Sequence, residues 1–552
     1  MSDNQQTPLE RYVTKRGGDV NTAFQDLGEN LPGHTMIRVA SWLVILGFAA
    51  YLLIPRTPAP LQLTYEMDLE NAPEGSLVIT LITEGDLPRN LNLEFPPGVF
   101  GDAMNGVNPH SATANVLNPD GSQGKSLAVK RTPDGWDVAT KGAKRAGFIY
   151  QVDLNHVQGL DGNVRHHIST PVTGGLRVAG FEVFLQPVGR EVGDITVTLH
   201  NPENIQVLVP WPALVQNGHL PSPPSPAPKP VQQANVSPGQ GYLPAEGVTP
   251  PEDQDPGQAP ATRSVPSNLL FHPQDLEDLN NALLICGDIQ VISTQVRETV
   301  VQLATDHQWQ FPFGSALDMV RRIARTEMGF FGTAPTSQIT VILSANKITG
   351  RDKFDIYGVH TGSSVLVMMD ADTTWEELED QCASVIAHEM FHGWLGEAIP
   401  QKDPDMLWFT EGAATWYAAR MLTAAGIWTP DHSRAVLQTR MERDYKLSPL
   451  KTQMSVGAAA ADVMASPDQV RFAYAGAINA CMNLDQWLSE QTGKTRPLDQ
   501  VLRHLYENRD GSPLTRLAFE TAVLEATGVD CSVWLDDYVY KKTTLPAAIR
   551  LI

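Results

Sequence analysis

The chain has 552 residues, 42% of them hydrophobic, and 62 acidic side chains against 40 Lys and Arg give a formal net charge of −22. That is enough chain for several sizeable cores. The acidic balance, with no basic stretch carrying interleaved aromatics, excludes nucleic acid as an expected partner, because phosphate binding needs clustered Lys and Arg.

Residues 1–35 form a mostly polar tail that includes Asp3, Glu10, Asp19, Asp26 and Glu29. Residues 36–54 are an apolar run interrupted only by Arg38 and Ser41. About twenty apolar residues cross a bilayer and Arg38 can snorkel from the end, so a transmembrane anchor is expected here. A cleaved signal peptide does not fit so long a polar leader, and Pro55, Pro58 and Pro60 argue against a core helix. Arg11, Lys15, Arg16 and Arg38 precede or open the run, whereas only Arg56 follows closely. The positive-inside rule then leaves the amino terminus cytoplasmic and everything after residue 60 outside the cytoplasm, in the periplasm if the cell is bacterial.

Residues 62–215 read as all-β, with a β-sandwich as the expected form. Residues 78–82 and 195–199 are short β-branched runs, and Pro133-Asp134-Gly135 marks a tight turn between two strands. Phe181-Glu182-Val183-Phe184-Leu185 alternates in part, as a half-buried strand would. From 218 to 266 the chain is proline-rich, buries little, and is expected to be a solvated spacer between domains. Beyond it, residues 317–324 read as helix, and 338–343 and 364–369 as buried strands. A catalytic domain over 267–430 and a helical carboxy-terminal domain over 431–552 complete the expected order. The four cysteines (Cys286, Cys382, Cys481, Cys531) are too few and too widely spaced for a disulfide scaffold or a Cys-x-x-Cys metal site.

The chemistry lies on the next helix. Thr373 or Thr374, with Glu376 or Glu377 three residues on, reads as a capping box, and Trp375, Leu378, Cys382, Val385 and Ile386 supply an apolar stripe. The stripe leads into His388-Glu389-Met390-Phe391-His392. Histidines four apart share one helix face, so both imidazoles can converge on a single Zn2+, with Glu389 beside it as base for a water. Histidine is scarce, 14 in the whole chain, so a chance occurrence is on the order of one per cent. Burying two imidazoles without a purpose is also costly. A third ligand has to come from elsewhere. Pro400 and Pro404 end the helix, and residues 407–421 can form a second one that brings Glu411 near. Its neighbours Trp408, Phe409, Trp416 and Tyr417 argue for a buried carboxylate, which takes a cation as partner.

The His388-Glu389-x-x-His392 motif, the eighteen residues that separate it from Glu411, and Trp408-Phe409-Thr410-Glu411-Gly412 resemble the glycyl aminopeptidase family of gluzincin peptidases, related to the alanyl aminopeptidase group. Tyr474-Ala475-Gly476-Ala477, Leu484-Asp485 and Leu498-Asp499-Gln500-Val501-Leu502 resemble that family's tyrosine-bearing helix and the segment after it. Tyr65-Glu66-Met67 through Glu94-Phe95-Pro96-Pro97-Gly98 resembles the start of its β domain. The resemblance implies His388, His392 and Glu411 as zinc ligands, Glu389 as general base and Tyr474 as donor to the developing oxyanion. It also implies an α+β multidomain fold: after the transmembrane helix, a β-sandwich domain, then a thermolysin-like zinc catalytic domain with a helical carboxy-terminal part. Three positions depart from the family. Val359 replaces a glutamate on the strand before the zinc helix, where the resemblance implies an acidic residue that helps hold the substrate's free amine; Leu395 replaces an asparagine, and Gly476 a lysine. The expected function is thus a membrane-anchored zinc peptidase acting on peptide or protein substrates, aminopeptidase-like by resemblance. The alternative is a catalytically altered zinc-binding or scaffolding protein of the same fold.

Overall fold

Strands with strict inside-outside alternation build the amino-terminal part. Leu61–Asp68 and Ser76–Glu84 bury every second residue, so Leu63, Tyr65, Ile79 and Leu81 face one core while their neighbours face out. The computed structural model describes residues 58–96, 108–155, 168–211, 268–346 and 356–546. These two strands lie in a seven-stranded sheet ordered Asn268–Phe271, Val192–His200, Leu61–Asp68, Ser76–Glu84, Arg145–Asp153, Asn108–Leu117, Gln123–Leu127. Two four-stranded sheets share its core, one carrying Leu91–Glu94 and Gly135–Val138, the other Gly175–Ala179 and Leu283–Gly287. The turn at Pro133-Asp134-Gly135 joins Val129–Arg131 to Gly135–Val138 as an antiparallel pair.

Two expectations change here. Residues 181–185 are not a strand: Gly180–Val183 is one buried helical turn. Its carbonyls are satisfied outside any ladder, Val183 O by Tyr150 at 2.5 Å and Leu185 O by Tyr65 at 2.7 Å. The boundary expected at 267 also shifts. Asn268–Phe271 pairs with Val192–His200 and Leu283–Gly287 with Gly175–Ala179, so residues 268–287 complete the β-rich sheets instead of opening the catalytic part. The segment 218–266 is therefore flanked on both sides by strands of the β-rich part. It lies outside the described residues, as do the tail 1–35 and the expected anchor 36–54. Among the described residues, no helix is long and apolar enough to cross a membrane.

The next part is an α+β unit. Its five-stranded sheet runs Gln290–Val296, Thr299–Thr305, Gln338–Asn346, Ser364–Asp370, Ile356–Thr361. The inner strands are parallel and carry continuous apolar runs such as Val365–Met369, buried on both faces. Helix Phe313–Phe331 covers one face with Val320, Ile323, Ala324 and Phe331. The other face, with Val359, Leu366 and Met368, packs against Phe181 and Ile285 of the β-rich part. The last strand, Ile356–Thr361, is an edge. It borders the histidine-bearing helix. The chain ends in a helical part that includes Pro430–Arg440, Pro467–Thr492, Pro497–Glu507 and Arg516–Thr527.

Candidate active site

The histidine-bearing helix starts as its sequence dictates. Thr374 is the N-cap, accepting from Glu377 N, while Glu377 reaches back to the Thr374 backbone. A π turn, Leu378–Cys382, connects this start to Ala383–Phe391. Ile386, Ala387, Met390 and Phe391 bury one face and leave His388, Glu389 and His392 on the side that borders a cleft of about 960 Å3. His392 is the C-cap, and a short loop through Pro400 leads to the second helix, Leu407–Ala424. There Trp408, Phe409, Trp416 and Tyr417 are buried and fix the rotation that brings Glu411 to the histidines.

His388, His392 and Glu411 converge, each offering one ligand atom, all within 4.8 Å of one another. His388 Nε2 lies 3.2 Å and His392 Nε2 3.6 Å from the Glu411 carboxylate, and the two Nε2 atoms are 3.1 Å apart. The opposite ring nitrogens are occupied. His392 Nδ1 is 3.0 Å from Leu395 O, and His388 Nδ1 is 3.1 Å from Thr415 Oγ1. Thr415 donates its own proton to Glu411 O at 2.8 Å, so it accepts from Nδ1–H. Both imidazoles thus engage Nδ1 in a hydrogen bond and turn Nε2 toward one point, the usual arrangement of a metal-binding histidine. Glu411 Oε2 is buried without a hydrogen bond. Two imidazole nitrogens and one carboxylate oxygen are a fitting donor set for zinc with one position left open.

Charge distribution separates the two glutamates. Burial pushes the Glu411 carboxyl up, but the adjacent histidines, His392 foremost, outweigh it and hold it well below the usual range. Burial lowers His392, and Glu411 then carries it up to about 9. Glu389 is raised, chiefly by burial, with the histidines opposing. The edge strand positions it: His360 donates its backbone N–H to the carboxylate, and Gly358 stands where a Cβ would lie 2.7 Å from Glu389 Cγ. Tyr474, on helix Pro467–Thr492, has its ring centroid 6.2 Å from that of His388. Burial and the nearby Glu411 and Glu389 carboxylates hold its hydroxyl protonated, well above the usual tyrosine value. All five residues expected from the sequence therefore share one cleft.

Sequence reasoning did not find Thr415, Gly358 or His360. Thr415 sits four residues after Glu411, one helical turn on, which is the signal that could have found it. His360 lines the cleft, and burial keeps its imidazole neutral, down to about 3. The departures from the family pattern have plain placements. Val359 is buried beside Leu366 and Met368, Leu395 supplies the carbonyl for His392, and a side chain at Gly476 would lie 3.0 Å from Val456. The segments at 485 and 499 are structural. Asp485 accepts from Leu498 N at 2.9 Å, and Asp499 takes Arg420 at 2.6 and 2.9 Å and Tyr417 at 2.6 Å, tying the Glu411 helix to the helices behind it.

Residues 354–530 match the peptidase family M1 domain. Over 59 residues the chain is 34% identical to aminopeptidase 2 of Candida albicans, a stretch that makes up 11% of this chain and 6% of that relative. In structure it is similar to an aminopeptidase N family protein from Idiomarina loihiensis, with a TM-score of 0.63 and 16% identity over 88% of this chain and 77% of that one. It is also similar to an M1 zinc metallopeptidase from Deinococcus radiodurans bound to a Tyr-Ser-Ala substrate, with a TM-score of 0.50 and 14% identity over 90% and 96% of the two chains. The α+β multidomain fold with a helical carboxy-terminal part is the one these proteins share. The stretch that matches the peptidase family M1 domain, about a third of the chain, is the one that holds His388, Glu389, His392, Glu411 and Tyr474.

Proposed function

We propose that this chain is a zinc-dependent peptidase in which His388, His392 and Glu411 hold the ion and Glu389 and Tyr474 carry the proton chemistry. The observation that supports it most is the convergence of the three ligand atoms with Nδ1–H groups already engaged. Zinc, when bound, supplies a Lewis acid for the scissile carbonyl and lowers the pKa of water. Glu389, raised by burial toward the range where a carboxylate can both accept and return a proton, takes one from the attacking water and delivers it to the leaving amine. Tyr474 keeps its proton and donates a hydrogen bond to the oxyanion as charge develops. Water attack forms the new C–O bond, and the C–N bond breaks as the amine leaves protonated.

The M1 match supports aminopeptidase-like action, yet Val359 removes the carboxylate that the resemblance assigns to the substrate's free amine. Single-residue release from a mixed peptide pool would support aminopeptidase action, and internal fragments an endopeptidase. Glu389→Gln is expected to keep one zinc per chain and lose hydrolysis by roughly a thousandfold or more. Tyr474→Phe is expected to lower kcat about a hundredfold with KM little changed. Wild-type turnover in Glu389→Gln would sink the mechanism. Stoichiometric zinc without cleavage of any peptide by the wild type would favour the scaffolding alternative. The apolar run at 36–54 and the placement of Arg and Lys around it support membrane anchoring with the catalytic part outside the cytoplasm.

A further inference from the structure

The cleft has two unlike ends. Beyond His392, toward Glu397 and Gln401, it is acidic, and Glu397 accepts from Gly362 N at 3.0 Å. On the Tyr474 side its wall is apolar, formed by Trp428, Val436, Leu437 and Val470, with one guanidinium, Arg440, set among them. A second arginine on that rim, Arg471, is exposed and paired with Asp468. Arg440 is different. It ends helix Pro430–Arg440, and a π turn, Met441–Lys446, follows at once. Local π geometry of this kind is frequent at functional sites. Its titratable neighbours are Asp444, Arg443 and the protonated Tyr474. Asp444 is already taken by the Arg443 fork, at 2.6 and 2.8 Å. Among the described residues Arg440 therefore has no hydrogen-bonding or ion-pairing partner, and burial disfavours its charge. A cation placed against apolar walls with its donors unused lacks an anion, and a planar guanidinium matches a carboxylate.

We propose that Arg440 binds a substrate carboxylate on the Tyr474 side of the cleft. The preferred substrates are then short peptides that place there either their free terminal carboxylate or an Asp or Glu side chain. This rests on the peptidase reading for its substrate class. The neighbouring Trp428, Val436 and Leu437 limit water access, which strengthens a charge-assisted pair.

The test measures binding, separately from turnover. Full-length, zinc-loaded protein carrying Glu389→Gln is titrated calorimetrically with three matched tripeptides: a free acid, its carboxy-terminal amide, and an amide with Glu as third residue. The free acid or the Glu-containing amide is expected to bind about tenfold or more tightly than the neutral amide, and which of the two does so identifies the source of the carboxylate. Adding Arg440→Gln should bring the preference close to one, and Arg440→Lys should restore part of it. Equal binding of all three peptides, or a preference that survives Arg440→Gln with zinc content intact, overturns the proposal. Wild-type turnover of the same peptides tests the peptidase reading independently, so failure of either is seen without the other.

Discussion

Gly358 shows how a residue with no side chain governs the base. A Cβ at this position would meet Val385 Cγ1 and lie 2.7 and 2.8 Å from Glu389 Cγ and Oε1. The glycine is thus required by close approach of the edge strand to the histidine-bearing helix. Gly358→Ala is expected to displace the Glu389 carboxylate while leaving the three ligands in place. A misplacement near 1 Å costs on the order of a hundredfold in rate. The expected outcome is therefore normal zinc stoichiometry with kcat reduced about a hundredfold. A normal kcat would show that Glu389 tolerates the shift. At this same scale His388, Glu389, His392 and Glu411 were legible because their types and setting are dictated by metal coordination, whereas Tyr474 came from the family resemblance alone. Gly358 and Thr415 were not, since each acts through a neighbour distant in sequence, Glu389 and His388.

At the scale of elements, the packing behind the site holds Glu411 in register. Helix Leu407–Ala424 buries Arg420 together with Asp499 of helix Pro497–Glu507, and Tyr417 donates to the same carboxylate. Arg420 also stacks over the Tyr417 ring at 4.4 Å. Removing one partner of a buried pair leaves an uncompensated charge, which costs about 3–5 kcal/mol. Asp499→Ala is expected to lower unfolding stability by that amount in urea denaturation, with weaker zinc retention at intermediate denaturant. A loss below about 1 kcal/mol would mean that Asp485 takes over the arginine. The capping box at Thr374 was readable because it is local, and so was the alternation of Leu61–Asp68. Residues 181–185 were misleading because tertiary hydrogen bonds from Tyr65 and Tyr150 satisfy a backbone that alternation alone would assign to a ladder.

For the whole molecule, the β-rich and catalytic parts share the apolar layer of Phe181, Ile285, Val359 and Leu366, so the chain from residue 60 onward is expected to fold without the amino-terminal segment. Protein lacking residues 1–57 should remain in the soluble fraction with one zinc per chain, whereas the full chain should sediment with membranes and be released by detergent but not by high salt. A full chain that stays soluble would remove the anchor from the proposal. The sequence by itself determined the metal chemistry, because ligand type, helical spacing and a capped amphipathic helix are local properties written residue by residue. Only the tertiary structure decided that Asn268–Phe271 and Leu283–Gly287 return to the β-rich sheets, because strand partners are chosen by non-local ladders and shared cores. The same holds for the cleft's polarity. Arg440 faces Tyr474 across a gap of many residues, and which charge lacks a partner is a property of packing that no linear spacing encodes.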